Sequence, residues 1–150
     1  MPANRKMTES VALLGAIDAD AYNASVQTTA WIQADDFSAY AALVAPGDMT
    51  TSATIDAKIE QATDGAGTGV KDLPGKAITQ FTKVGNDDNK QAWINFKPSD
   101  LDLANGFGWV RLSMTIATAA CDAAGYLFGF GAKASPASDY DATSVDEIVG

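Results

Sequence analysis

The sequence predicts an all-β fold, an antiparallel β-sandwich or jelly-roll-like barrel of about seven to eight strands. Three observations carry that prediction. The stretch Ala53-Thr54-Ile55-Asp56-Ala57-Lys58-Ile59-Glu60 alternates between two residue classes without a break. A strand sorts the two sets onto opposite faces, whereas a helix would scatter them around its circumference. The same two-residue period returns in further runs, among them Trp109 to Ala117. Turn-forming residues at Asp35-Asp36, Pro46-Gly47, Asp64-Gly65, Asn86-Asp87-Asp88-Asn89 and Pro98 punctuate the runs at short intervals.

Taken in chain order, Met1 to Thr8 reads as a polar arm carrying Arg5 and Lys6. Thr8 to Ile17 fits either a short helix capped by Thr8 or Ser10 and weakened by Gly15, or an extended continuation of the arm. The arm as a whole is assigned to residues 1–24. Thr28 to Gln33 is a first strand, and Phe37 to Val44 a second with Phe37, Ala39, Ala41 and Leu43 on one face, stopped by Pro46-Gly47. Ser52 to Gln61 is the third. Thr63 to Gly75 is rich in glycine and reads as a loop. Ala77 to Val84 and Gln91 to Phe96 form a hairpin around Asn86 to Asn89, with Ala92, Ile94 and Phe96 sharing a side. Trp109 to Ala117 sets Val110, Leu112, Met114 and Ile116 against Trp109, Arg111, Ser113 and Thr115. Tyr126 to Ala132 sets Tyr126, Phe128 and Phe130 against Leu127, Gly129 and Gly131. The sandwich domain is thus expected over 25–134. Residues 135–150 form an acidic tail with no basic residue, solvated unless a partner holds it.

Composition narrows the function classes. A chain of 150 residues supports one core, and 47% hydrophobic with 9% aromatic residues argues against disorder. A net charge of -9, from 19 acidic and 10 basic residues, argues against a phosphate backbone as partner. No apolar run approaches the ~18 residues that cross a bilayer, so no membrane partner is expected. Val11 to Ile17 follows Arg5 and Lys6 in the manner of a secretory leader, but Glu9 and Ser10 intervene and the apolar run is short. Synthesis and folding in the cytoplasm are the expectation. Cys121 stands alone, which excludes an intrachain disulfide.

Candidate chemistry is sparse. The chain contains no histidine, which removes Ser-His-Asp and Cys-His machinery and most zinc sites. Asp35-Asp36, Asp87-Asp88 and Asp100 with Asp102 are the formal acid/base pairs, yet each falls in a predicted turn, where aspartate serves backbone bonding. Asp100 to Gly106 has two carboxylates at alternate positions, but Leu103 and Ala104 break calcium-loop spacing and Arg111 stands where a bidentate glutamate belongs. Asp64 to Gly69 lacks the Gly-Lys-Ser/Thr of a phosphate loop. Trp31, Trp93, Trp109, Tyr22, Tyr40, Tyr126 and Tyr140 are candidates for stacking on sugars or for core packing. No catalytic, cofactor-binding or metal-binding residue is nominated, no cofactor is expected, and the chain is not expected to be an enzyme.

The order of segments resembles a known family. Phe37 to Gly47 (Phe-x-Ala-x-Ala-x-Leu-Val-x-x-Gly) leads to the amphipathic strand Ala53 to Gln61 and the glycine-rich loop. The hairpin around Asn86 to Asn89, the run Gly108 to Thr115 (Gly-Trp-Val-Arg-Leu-Ser-Met-Thr) and the strand Gly125 to Gly131 follow. Over about residues 25–133 this cadence resembles the small β-sandwich head decoration (cement, auxiliary capsid) proteins of tailed bacteriophages. The resemblance implies a structural virion protein on the outside of the phage head. Such a protein stabilises the shell by binding the major capsid protein, as a homo-oligomer (trimer or dimer) on the capsid. It brings no catalytic residues, and the tail from Ser135 departs from it. Met1 to Ile17 is the expected capsid-contacting arm. Rival readings are a phage tail or head-tail connector component, with Thr63 to Gly75 as a ring-closing loop, and a carbohydrate-binding surface module.

Overall fold

The computed structural model describes residues 4–150; Met1, Pro2 and Ala3, the start of the expected arm, lie outside the described residues. Ten strands follow a short 3-10 turn at Met7–Glu9: β1 (Val11–Tyr22), β2 (Ser25–Thr28), β3 (Ile32–Gln33), β4 (Phe37–Met49), β5 (Thr54–Ala62), β6 (Lys71–Ala77), β7 (Phe81–Thr82), β8 (Ala92–Phe96), β9 (Trp109–Ala117) and β10 (Cys121–Ala132). They build two antiparallel sheets. One has the order β1-β10-β4-β8; the other has β2-β9-β5-β6, with β3 also on β9 and β7 also on β5. Setting aside the two-residue strands β3 and β7, the first strand pairs with the last and the second with the last but one. That is the wrapping of a jelly roll, and the expected all-β sandwich is what the chain forms.

The core lies between the sheets and follows from the alternation. Ile55, Ala57 and Ile59 of β5 and Val110, Leu112, Met114 and Ile116 of β9 are buried on one side. Ala12 and Ile17 of β1, Tyr40, Ala42 and Val44 of β4, Ile94 and Phe96 of β8, and Leu127 of β10 are buried on the other. Each large apolar side chain removed from water contributes roughly 1.5–3 kcal/mol before conformational entropy is set against it. With no disulfide available, this packing holds the fold.

Several expected elements are redrawn. Thr28 to Gln33 is split into β2 and β3 because Thr29 substitutes its side chain for a ladder position. The Leu112 N–H donates to Thr29 Oγ1 (3.0 Å) while the Thr29 N–H donates to the Leu112 carbonyl (3.0 Å). β4 runs through Pro46-Gly47 to Met49, since its strand pairing with β8 stops at Val44 and Pro46 need not donate on that edge. Phe37 is buried with Tyr40, Ala42 and Val44, and is not on the face of Ala39, Ala41 and Leu43. The glycine-rich loop is shortened to 63–70 by β6.

The hairpin expected between 77 and 96 does not form. Phe81 and Thr82 pair with β5, whereas Ala92–Phe96 pairs with β4 in the other sheet. Residues 86–89 therefore carry the chain between layers. Asn86 and Asn89 adopt positive φ there, and Asp87 accepts from the Thr82 N–H (2.9 Å).

The terminal segments belong to the body more than expected. From Val11 onward the assigned arm is an edge strand, neither helix nor free arm. Bulges between Leu13 and Gly15 and between Ile17 and Asp20 blur its two-residue period. The tail begins with a 3-10 turn, Ala137–Tyr140, in which Ala137 is fully buried and the Tyr140 ring meets Phe37 edge-on at 5.4 Å. The Leu13 N–H donates to Asp141 Oδ1 (2.8 Å) and the Ala142 N–H to the Leu13 carbonyl (2.7 Å). Residues 137–142 thus cover part of the open edge of β1.

Candidate functional site, an uncharged aromatic sheet face

The two outer faces of the sandwich differ in chemistry. On the six-stranded sheet the outward positions are mostly polar or charged, with Val26 of β2 an exposed exception. Arg111 Nε donates to Glu60 Oε2 (2.7 Å), Lys58 lies between Glu60 (3.7 Å) and Asp72 (2.7 Å), and the Arg111 guanidinium stacks 4.5 Å from the Trp31 ring centroid. The Asp72 carboxylate beside Lys58 raises the ammonium's pKa. Charge on this face is largely paired within the molecule.

The four-stranded sheet presents the opposite. Its register aligns outward residues in rows across strands: Val11, Phe130 and Ala39; then Leu13, Phe128, Ala41 and Asn95; then Ala16, Tyr126, Leu43 and Trp93; then Ala124 with Ala45. None of these side chains is charged. Trp93 and Phe130 are 59% and 56% exposed, although neither contributes to the core. Trp93 and Phe128 lie 6.0 Å apart between ring centroids, and Tyr126 and Phe128 6.4 Å. The rings form a continuous patch, not scattered single residues.

β10 places those rings outward for a steric reason. Its inward positions are Gly125, Leu127 and Gly129, and Gly129 lies against the buried Phe37 ring. A side chain at Gly125 or Gly129 would collide with Leu112 or Phe37, so most of the bulk of β10 is on the outside. The alternation alone divides Tyr126, Phe128 and Phe130 from Leu127, Gly129 and Gly131 without saying which set faces water. The glycines were the signal available: small residues at alternate positions mark a close sheet-to-sheet approach.

The sequence-nominated chemistry falls elsewhere and in separate places. Asp35 and Asp36 sit in the turn between β3 and β4. Asp87 is held by the Thr82 N–H and Lys90, and those two lower its pKa; Asp88 pairs with Lys83. Asp100 accepts from the Lys97 N–H (2.8 Å), while Asp102 is bound by Lys71 and Asn105, which lower its pKa. Lysines thus neutralise the carboxylates of the Asp100–Gly106 loop. Among the described residues no group of three or more cysteine or acidic side chains is arranged to hold a metal ion. Cys121 is buried, and burial with the nearby Asp122 pushes its thiol up to about 11.

The aromatic candidates are also divided. Trp93 and Tyr126 share the exposed face; Tyr40 stacks on Phe96 (5.3 Å) in the core, and burial raises its hydroxyl to about 12. Trp31 and Trp109 lie half-buried beneath the loop 63–70. Gly67, at φ +83°, presses onto Trp31, where a Cβ would stand 2.7 Å from the indole nitrogen. Asp64 Oδ1 accepts from the Ala66 and Thr68 N–H groups (2.9 and 3.0 Å) and shapes that loop.

No protein-family model and no curated protein sequence matches the chain. Solved structures similar to it include the VP2 subviral particle of infectious bursal disease virus (10% identity, TM-score 0.49, 81% of this chain and 32% of that chain). This chain therefore spans about a third of that protein's length. TmCBM61 in complex with β-1,4-galactotriose is similar at 7% identity and TM-score 0.36, covering 77% of this chain and 70% of that one. The empty virus-like particle of cowpea mosaic virus is similar at 11% identity and TM-score 0.35, covering 87% and 84%.

Proposed function

We propose that this chain is a structural, non-enzymatic shell protein, a capsid decoration or cement protein of a phage head that works by adhesion to neighbouring subunits. The observation that carries the reading is the uncharged aromatic face of β1-β10-β4-β8 on a molecule of net charge -9. Exposed rings with no packing role in their own domain are the usual material of a protein-protein contact. The closing sandwich is rigid and repeats by symmetry, so modest contacts per copy sum over a shell. The segment cadence over residues 25–133 agrees with this reading.

Mixing the purified chain with undecorated capsids and imaging them tests it. Stoichiometric symmetric density on the shell is expected, and density confined to one vertex would favour a connector. A second reading has its own observation: Trp93 and Tyr126 flank Leu43 in one outward row, a platform on which sugar rings stack. Glycan-array binding abolished by Trp93→Ala would select that reading.

A further inference from the structure

We propose that the aromatic face of the four-stranded sheet is covered by a second copy of this chain, sheet against sheet, in a two-fold symmetric dimer. The inference rests on reading that face as adhesive and commits it to one occupant. Area is the first argument. Four strands ~4.8 Å apart, over about eight residues at ~3.3 Å each, present on the order of 500 Å². Two such faces bury roughly 1,000 Å², the lower bound of a specific interface. A short peptide or a single sugar would leave most of the rings in water.

Charge is the second argument. A partner chosen by electrostatics would meet charge within the contact, and the four rows contain none; Lys97 lies only at their Ala39–Asn95 end. A face without charge is complementary to itself, which a two-fold interface requires. The charges at its ends set the orientation. Asp18, Asp20, Asp48 and Asp122 crowd one end of the sheet, and none of them takes part in the described ion pairs. Stacking the copies with strands antiparallel holds these ends about 30 Å apart, several screening lengths. The parallel arrangement would superpose them.

Sedimentation of the full chain across a concentration series tests the proposal, with circular dichroism and melting confirming that every variant folds. The expected mass rises from 15.6 kDa toward twice that value with concentration. Trp93→Asp and Phe128→Asp, which place a carboxylate in the contact, weaken association at least tenfold. Thr115→Asp, on the opposite sheet, leaves it unchanged. A monomer at every concentration, or a dimer indifferent to Phe128→Asp, overturns the proposal. If the monomeric chain binds capsids or glycans and Phe128→Asp abolishes that binding, the adhesive reading stands and the second copy as occupant is refuted.

Discussion

Gly129 and Phe37 fit together with no space for a methyl group: a Cβ built on Gly129 would stand 2.5 Å from the Phe37 ring. Phe37 is 1% exposed and is braced edge-on by Tyr40 and Tyr140 at 5.9 and 5.4 Å, so it has little room to retreat. The same contact turns the rings of β10 toward solvent, which ties the core to the aromatic face.

Gly129→Ala is therefore expected to destabilise the protein by about 1–3 kcal/mol through overpacking. Gly108→Ala, where a Cβ meets nothing within 4 Å, is the matched control and should change little. Denaturant melts of the two variants, compared with the parent, check this.

The tail clasp makes a second prediction. Asp141→Ala removes the acceptor of the Leu13 N–H, a partly buried bond, at a cost of about 1 kcal/mol. Amide exchange should accelerate at Leu13 and Ala142 while the amides of β5 and β9 keep their protection. Unchanged exchange at Leu13 would show that the tail does not cover the edge of β1.

Stability should fall on the alkaline side. Burial raises Tyr40 from 10.0 to about 12 and Cys121 from 9.0 to about 11, so the fold favours their neutral forms. That contribution is complete below pH 9, where both groups are neutral folded or unfolded. It declines as pH rises from about 9 to about 12, as the unfolded chain ionises first. Asp64, held by Thr68, and Asp87 and Asp102, held as described above, have lowered values. Their contribution is present above about pH 3.8 and is lost in more acid solution. Denaturation midpoints measured across pH check both limbs, and Tyr40→Phe should flatten the alkaline one.

On the charged face, Arg111→Ala breaks both the Glu60 pair and the stacking on Trp31. With Arg111 and Glu60 largely shielded (side chains 25% and 13% exposed), the loss should be about 1 kcal/mol. High salt should reduce the difference between variant and parent in thermal melts.

Strands with an unbroken alternation were legible from the chain alone. Ala53, Ile55, Ala57 and Ile59 are at most 2% exposed, and Val110, Leu112, Met114 and Ile116 at most 1%. β1 was not legible, because two bulges shift the phase between Leu13 and Asp20 and break the repeat. Residues 77–96 misled because a polar reversal between two apolar runs serves equally for a hairpin and for a crossing between layers. Only long-range pairing separates the two. The aromatic face was hidden for a different reason: hydrophobicity places aromatic residues inward by default, and the steric demand of Phe37 on Gly129 acts across 92 residues of sequence.

Occupancy of undecorated capsids by the parent chain, Phe128→Asp and Thr115→Asp, read by cryo-electron microscopy, tests the central claim most directly. Regular density is predicted for the parent and for Thr115→Asp, and its loss for Phe128→Asp. Equal occupancy by all three, or none by the folded parent, would contradict the assignment of the aromatic sheet face as the surface through which neighbouring subunits on the shell adhere.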